Sequence, residues 1–181
     1  MNIIEFRTIN SDDSFNDERY KHWSRYYEYP TVLDFLTKNL PIGSKIHNSA
    51  WGYEAPNHTN FKEGLESYFG IENVINSDIL ISQYPNTTTY NLLDSPKPEW
   101  IEYFNCVLNI SVIEHLEGKS QNVAIQNLYS QVKPGGYFVV TFDMPGVNME
   151  VLTQFCGKSF IEYSNKISGF GLNVGLLILQ K

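Results

Sequence analysis

Residues 104–111, FNCVLNIS, form a nearly unbroken apolar run, and no other stretch constrains the fold as much. A half-exposed strand alternates apolar and polar side chains. A continuous run belongs to a strand covered on both faces, as in a parallel sheet. Parallel neighbours must be joined by crossovers, usually helices, and the surrounding text supplies them. Strand-like segments at 44–50, 73–78, 87–93 and 137–142 alternate with helix-like segments at 60–69, 120–132 and 148–155.

Local signals punctuate the alternation. Asn60 and Glu63 have capping-box spacing, Phe61, Leu65 and Tyr68 share a face, and Gly70 stands at a helix stop. Ala124, Ile125, Leu128, Tyr129 and Val132 fall on one side of the next helix, and Lys133-Pro134-Gly135-Gly136 should end it sharply. Gly157 stops the helix after that. Two strand-like segments, 160–167 and 172–180, are joined by Ser168-Gly169-Phe170-Gly171, a loop short enough only for antiparallel neighbours. Residues 1–16 are polar and expected to be loose; residues 17–39 read as helical text broken at Pro30 and reopened at Thr31. The sum is a doubly wound, mostly parallel α/β sheet with an antiparallel C-terminal hairpin and helices on both faces. At 181 residues it is read as one domain: a helical segment over residues 1–40 and a core over 44–181.

Composition narrows the partners. Thirteen basic against twenty acidic residues give a net charge of -7, which disfavours a nucleic-acid backbone as partner. No stretch approaches the ~20 apolar residues of a membrane span, and the acidic, polar N-terminus is unlike a secretory signal. A cytoplasmic protein is the expectation. Cys106 and Cys156 lie in core elements as reduced thiols, and neither they nor His22, His47 and His58 have a metal-ligand spacing, so no metal is expected. His58, between Asn57 and Thr59, reads as a solvated loop residue.

In open α/β sheets ligands bind beyond the carboxyl ends of the strands, and Glu114-His115 lies just past one such end. Val112-Ile113-Glu114-His115-Leu116, a following helix, then Val132-Lys133-Pro134-Gly135-Gly136 and a strand resemble the second half of class I S-adenosylmethionine-dependent methyltransferases. The resemblance covers about 80 residues and implies a Rossmann-like sheet of seven strands, S-adenosylmethionine as cofactor with S-adenosylhomocysteine as product, and a small-molecule acceptor. It leaves O-, N- and C-methylation open. The family's first strand ends in an acid and a glycine-rich turn. Here the aligned stretch is Asn48-Ser49-Ala50-Trp51-Gly52: an amide replaces the acid, Ala50 replaces the first glycine, and Trp51 is large wherever it points. A second acid-to-amide change falls at Asn105.

The resemblance assigns cofactor contacts to Asn48, Ala50, Gly52, Asp78, Ile79, Asp94 and Asn109. Asp78, closing the second strand, would accept two ribose hydroxyls; as a bare residue it also suits a helix cap. Asp94 would lie near the adenine amino group, or merely turn the chain before Ser95-Pro96. His115 would face the acceptor as ligand or base, or brace a neighbouring loop. Glu114 is assigned to the substrate side and also suits orienting a main-chain amide. Tyr20, Trp23, Arg25, Tyr26, Tyr27 and Tyr29 cluster before Pro30 as a candidate lid, with Tyr26 and Tyr27 as substrate contacts; the same rings could simply pack the first helix. The rival function is a protein of the same fold that binds partners and no longer catalyses. A nicotinamide-dependent reductase is disfavoured because no G-x-G-x-x-G follows the first strand.

Overall fold

The computed structural model describes residues 1–10, 16–21, 23–52, 56–81, 84, 86–144, 146–157 and 174–181. Seven strands form one sheet in the order β1-β7-β6-β5-β2-β3-β4: β1 (Asn2–Ile9), β2 (Ile46–Ser49), β3 (Val74–Asp78), β4 (Thr87–Thr89), β5 (Phe104–Ile110), β6 (Val132–Asp143) and β7 (Val174–Gln180). Only β7 runs against the others, antiparallel to β6 on one side and to β1 on the other. From β2 the chain steps outward to β3 and β4, then returns to place β5 and β6 on the other side. The β2/β5 boundary is therefore the switch point, where a ligand crevice opens.

Strict alternation divides the sheet into two faces. Cys106, Leu108 and Ile110 of β5, Val139 of β6, and Leu176 and Ile178 of β7 pack under α1 (Arg25–Asn39) and α2 (Pro56–Phe69). Val107, Phe138, Val140, Phe142, Leu177 and Leu179 point the other way, under α3 (Lys119–Ser130) and α4 (Met149–Cys156). The buried run that opened the sequence reading is thus a central strand with a hydrophobic core on each side.

Several expectations need correction. Residues 2–9 are not loose: they form β1 at the sheet edge, paired from Asn2↔Gln180 to Ile9↔Val174. The segment 160–167, expected beside the last strand, lies outside the described residues, and both edges of β7 are taken by β6 and β1. Pro30 does not break the first helix, and α1 runs through it. Proline removes one donor and orphans the carbonyl four residues back; here that carbonyl, on Tyr26, accepts the Asp17 N–H at 3.0 Å. The second helix begins at Pro56, one turn before the capping-box estimate, with proline where its missing N–H costs nothing. Lys133-Pro134-Gly135-Gly136 lies inside β6 as a bulge, since Phe104 pairs with Val132 but Cys106 with Tyr137. A Cβ on Gly136 would stand 2.7 Å from the Asn105 carbonyl, so only glycine allows that approach. The helix at 149–156 is as read, with the Asn148 side chain accepting the Glu150 N–H and Gly157 left-handed at its end.

Candidate active site at the carboxyl ends of the strands

The turn after β2 keeps a glycine-like shape without its first glycine. Ala50 has φ 49° and Gly52 φ 69°. An alanine in the left-handed region costs about 1 kcal/mol, and here it holds the chain against β3, where Trp51 N–H donates to the Ser77 carbonyl at 3.2 Å. Asp78 ends β3 at 7 % exposure; its carboxylate accepts the Gly52 N–H at 3.2 Å and the Leu80 N–H at 3.0 Å. Each oxygen then retains a lone pair. Trp51 is buried, edge-on to Tyr84 at 5.6 Å, and among the described residues its indole N–H has no acceptor. His58 of α2 fills the space beside Gly52: its Nδ1 lies 2.7 Å from the Tyr29 hydroxyl and 3.0 Å from the Trp51 carbonyl, and a Cβ on Gly52 would meet it at 2.8 Å. The space left in this crevice is a cavity of 60 Å³, bordered by Asn48, Ala50, Trp51, His58 and Arg25.

A buried carboxylate ties α1 to the strand ends. Glu28 is fully buried and accepts from the Ser111 hydroxyl at 2.5 Å, the Thr141 hydroxyl at 2.5 Å, the Ser24 hydroxyl at 2.6 Å and the Arg25 guanidinium. Four donors, one of them charged, make burial of this carboxylate tolerable. Ser111, just past β5, turns left-handed at φ 45° as its hydroxyl meets Glu28. Arg25, pinned by Glu28, also lies over the Tyr29 ring.

Outside Arg25 lies a second cavity, of 180 Å³, lined by Trp23, Arg25, His58, Ser111, His115 and Asp143. Arg25 and His58 are the walls common to both cavities. Behind the second one, Glu114 accepts the Asp143 N–H at 3.2 Å and packs on Gly146; burial pushes its carboxyl up to about 7, with the Asp143 and Glu28 charges adding to the effect. Asp143 is also raised, by burial first and then by the charge of Glu28.

The structure gathers some of the assigned residues and disperses others. Asn48, Ala50, Gly52 and Asp78 surround the β2/β3 turn, and Ile79 follows Asp78 as an exposed side chain. The Asn48 amide is occupied with the Asn76 side chain at 3.0 Å. Asn109 is buried within β5, donating to the Ser49 hydroxyl at 3.2 Å. Asp94 is exposed in a turn held to α3 by Asn127, which donates to its main-chain oxygen, and Asp94 lines neither cavity. Asn105 braces the opposite end of the sheet by accepting the Lys45 N–H. His115 does line the outer cavity; Glu114 stands behind it. Tyr27 is core and Tyr26 donates to Glu18, so the aromatic cluster contributes Trp23, Arg25 and Tyr29 to the cavities instead. His58 is a wall residue rather than a solvated loop side chain. Glu28 and Asp143 had no motif to announce them; the one available signal was a carboxylate inside an otherwise aromatic helical stretch.

No protein-family model matches the sequence, and no curated protein matches it. Solved structures do match. The N-methyltransferase NodS from Bradyrhizobium japonicum WM9, in complex with S-adenosylhomocysteine, aligns with TM-score 0.59 and 14% identity over 93% of each chain. A TehB-like SAM-dependent methyltransferase from Corynebacterium glutamicum aligns with TM-score 0.58 and 14% identity, covering 82% of this chain and 86% of that one. A SAM-dependent methyltransferase from Archaeoglobus fulgidus gives 0.55 and 15%, over 86% and 95%. At such identities the likeness speaks for the backbone alone, and on that ground the chain has the seven-stranded Rossmann-like fold seen in class I S-adenosylmethionine-dependent methyltransferases.

Proposed function

We propose that the protein is an S-adenosylmethionine-dependent methyltransferase acting on a small molecule. The observation that carries this reading is the pairing of Asp78 with the Ala50–Gly52 turn at the switch point, next to a separate cavity across Arg25 and His58. The residues fit the cofactor in kind. Asp78 has lone pairs left for two ribose hydroxyls, the turn keeps its left-handed backbone, and the buried Trp51 N–H wants an acceptor. The cofactor supplies a sulfonium methyl group, so the chain's own work is to hold the acceptor in line and exclude water. The segment carrying α1 serves as the cover, locked down by Glu28, and His115, on the wall of the outer cavity, takes a proton from the acceptor.

The size of the inner cavity favours a second reading. Its 60 Å³ is far below the roughly 300–1,000 Å³ of ligand pockets. Trp51 and His58 must swing aside for a cofactor to enter; if they cannot, the fold serves only as a binding partner. Calorimetric titration with S-adenosylmethionine and S-adenosylhomocysteine separates the two. Micromolar binding weakened about tenfold or more by Asp78→Ala supports the enzyme. No binding at millimolar ligand, in wild type and in the opened variant His58→Ala alike, removes it.

A further inference from the structure

The outer cavity has a charge pattern that selects a ligand, and this inference rests on the methyltransferase reading only for the use made of that ligand. Its one permanent positive charge, Arg25, is cancelled by Glu28 behind it: one Nη is engaged by Glu28 and Ser24, the other lies 3.5 Å from the Ser111 carbonyl. The Asp143 carboxylate makes no side-chain hydrogen bond or ion pair among the described residues, although the Arg25 charge acts on it across the cavity, and the Glu114 carboxyl, raised by burial, stands behind it. His58 and His115 complete the wall. Trp23, 69 % exposed and left-handed at φ 56°, also lines this cavity. A bulky residue rarely adopts that region, and the turn it belongs to sets an indole beside the cavity rather than in the core. An anion entering here meets a carboxylate that no ion pair holds. A cation meets that carboxylate and an aromatic face, which attract it together.

We propose that this cavity binds an organic ammonium group, with Asp143 as counter-ion and Trp23 as the aromatic wall, and that the methyl acceptor is therefore an amine. An ammonium nitrogen has no lone pair, so it must first give up one proton, for which a ring nitrogen of His115 in the cavity wall is the acceptor. The freed pair then forms the N–C bond as the C–S bond of the sulfonium breaks and leaves its electrons on sulfur. The amine gains CH3, one proton is released in all, and the positive charge stays on nitrogen.

The test uses the unmodified full chain, with n-butylammonium and butyrate as probes of equal length and opposite charge. Binding is read from the ¹⁵N-indole NMR signal of Trp23, assigned by its loss in Trp23→Phe. The expected result is a saturable shift with n-butylammonium, none with butyrate, and affinity about tenfold weaker in Asp143→Asn. Butyrate shifting the signal in place of the cation, neither probe shifting it, or Asp143→Asn leaving the affinity unchanged each overturns the proposal. Cation binding in a protein that ignores S-adenosylmethionine would retain this inference and remove the methyltransferase reading. Cofactor binding without cation binding would do the reverse.

Discussion

At the scale of single residues, two buried ionisable groups pull the stability in opposite directions with pH. His47 of β2 is fully buried; its Nδ1 lies 2.7 Å from Gln131 Oε1 and its Nε2 2.8 Å from Ser77 Oγ, an arrangement that satisfies the neutral ring. Burial lowers it to about 4, so the unfolded chain takes up a proton below about 6.5 that the folded one refuses, and stability is lost as pH falls towards 4. Glu114 does the opposite. Raised to about 7 by burial, it stays protonated in the folded protein after the unfolded chain has ionised, so stability is lost as pH rises from about 4.5 to 7. Glu114→Gln should therefore gain on wild type by about 3 kcal/mol between pH 4.5 and 7, measured by urea unfolding at both pH values; a constant difference would refute the burial of its charge. His115 and Asp78 were legible because they sit at fixed offsets from strand ends. His47 and His58 were not, because a lone histidine carries no sign of whether a strand or helix will turn it into core, cavity or solvent.

At the scale of elements, the helix α1 is fastened to the sheet at one polar point as well as by its apolar side. Glu28 joins it to Ser111 after β5 and to Thr141 in β6. Removing that charge leaves Arg25 largely enclosed and unpaired, and breaking such a pair costs about 3–5 kcal/mol. Glu28→Gln should lose stability on that scale in urea, whereas Glu28→Gln combined with Arg25→Met should lose less than Glu28→Gln alone; a larger loss in the double variant would contradict the account. The elements best read from sequence were those whose signals are local: the buried run of β5, the amphipathic α3, the capped α4. Those misread depend on distant partners. Pro30 looks like a break until Asp17 supplies a donor to the Tyr26 carbonyl. NIIEFRTI looks like polar tail because an edge strand carries Glu5 and Arg7, part-exposed beside α1 and paired with each other.

At the scale of the molecule, the edge strand decides whether the sheet stops. β7 is buried from Val174 to Leu179, and β1 covers its outer side. Deleting residues 1–10 would bare a long apolar strand edge, a template for pairing with another chain. The truncated protein should self-associate beyond the full-length chain in light scattering and melt lower; unchanged scattering and melting would show that β1 is dispensable. The same pairing has a consequence for synthesis. β1 and β7 meet across roughly 170 residues of chain, so β1 leaves the ribosome long before its partner. At about 5–20 residues per second, β1 waits on the order of ten to thirty seconds with its hydrogen-bonding edge open. A chaperone that holds short amphipathic segments would have that interval in which to act, and the sheet can be completed only once β7 has been made.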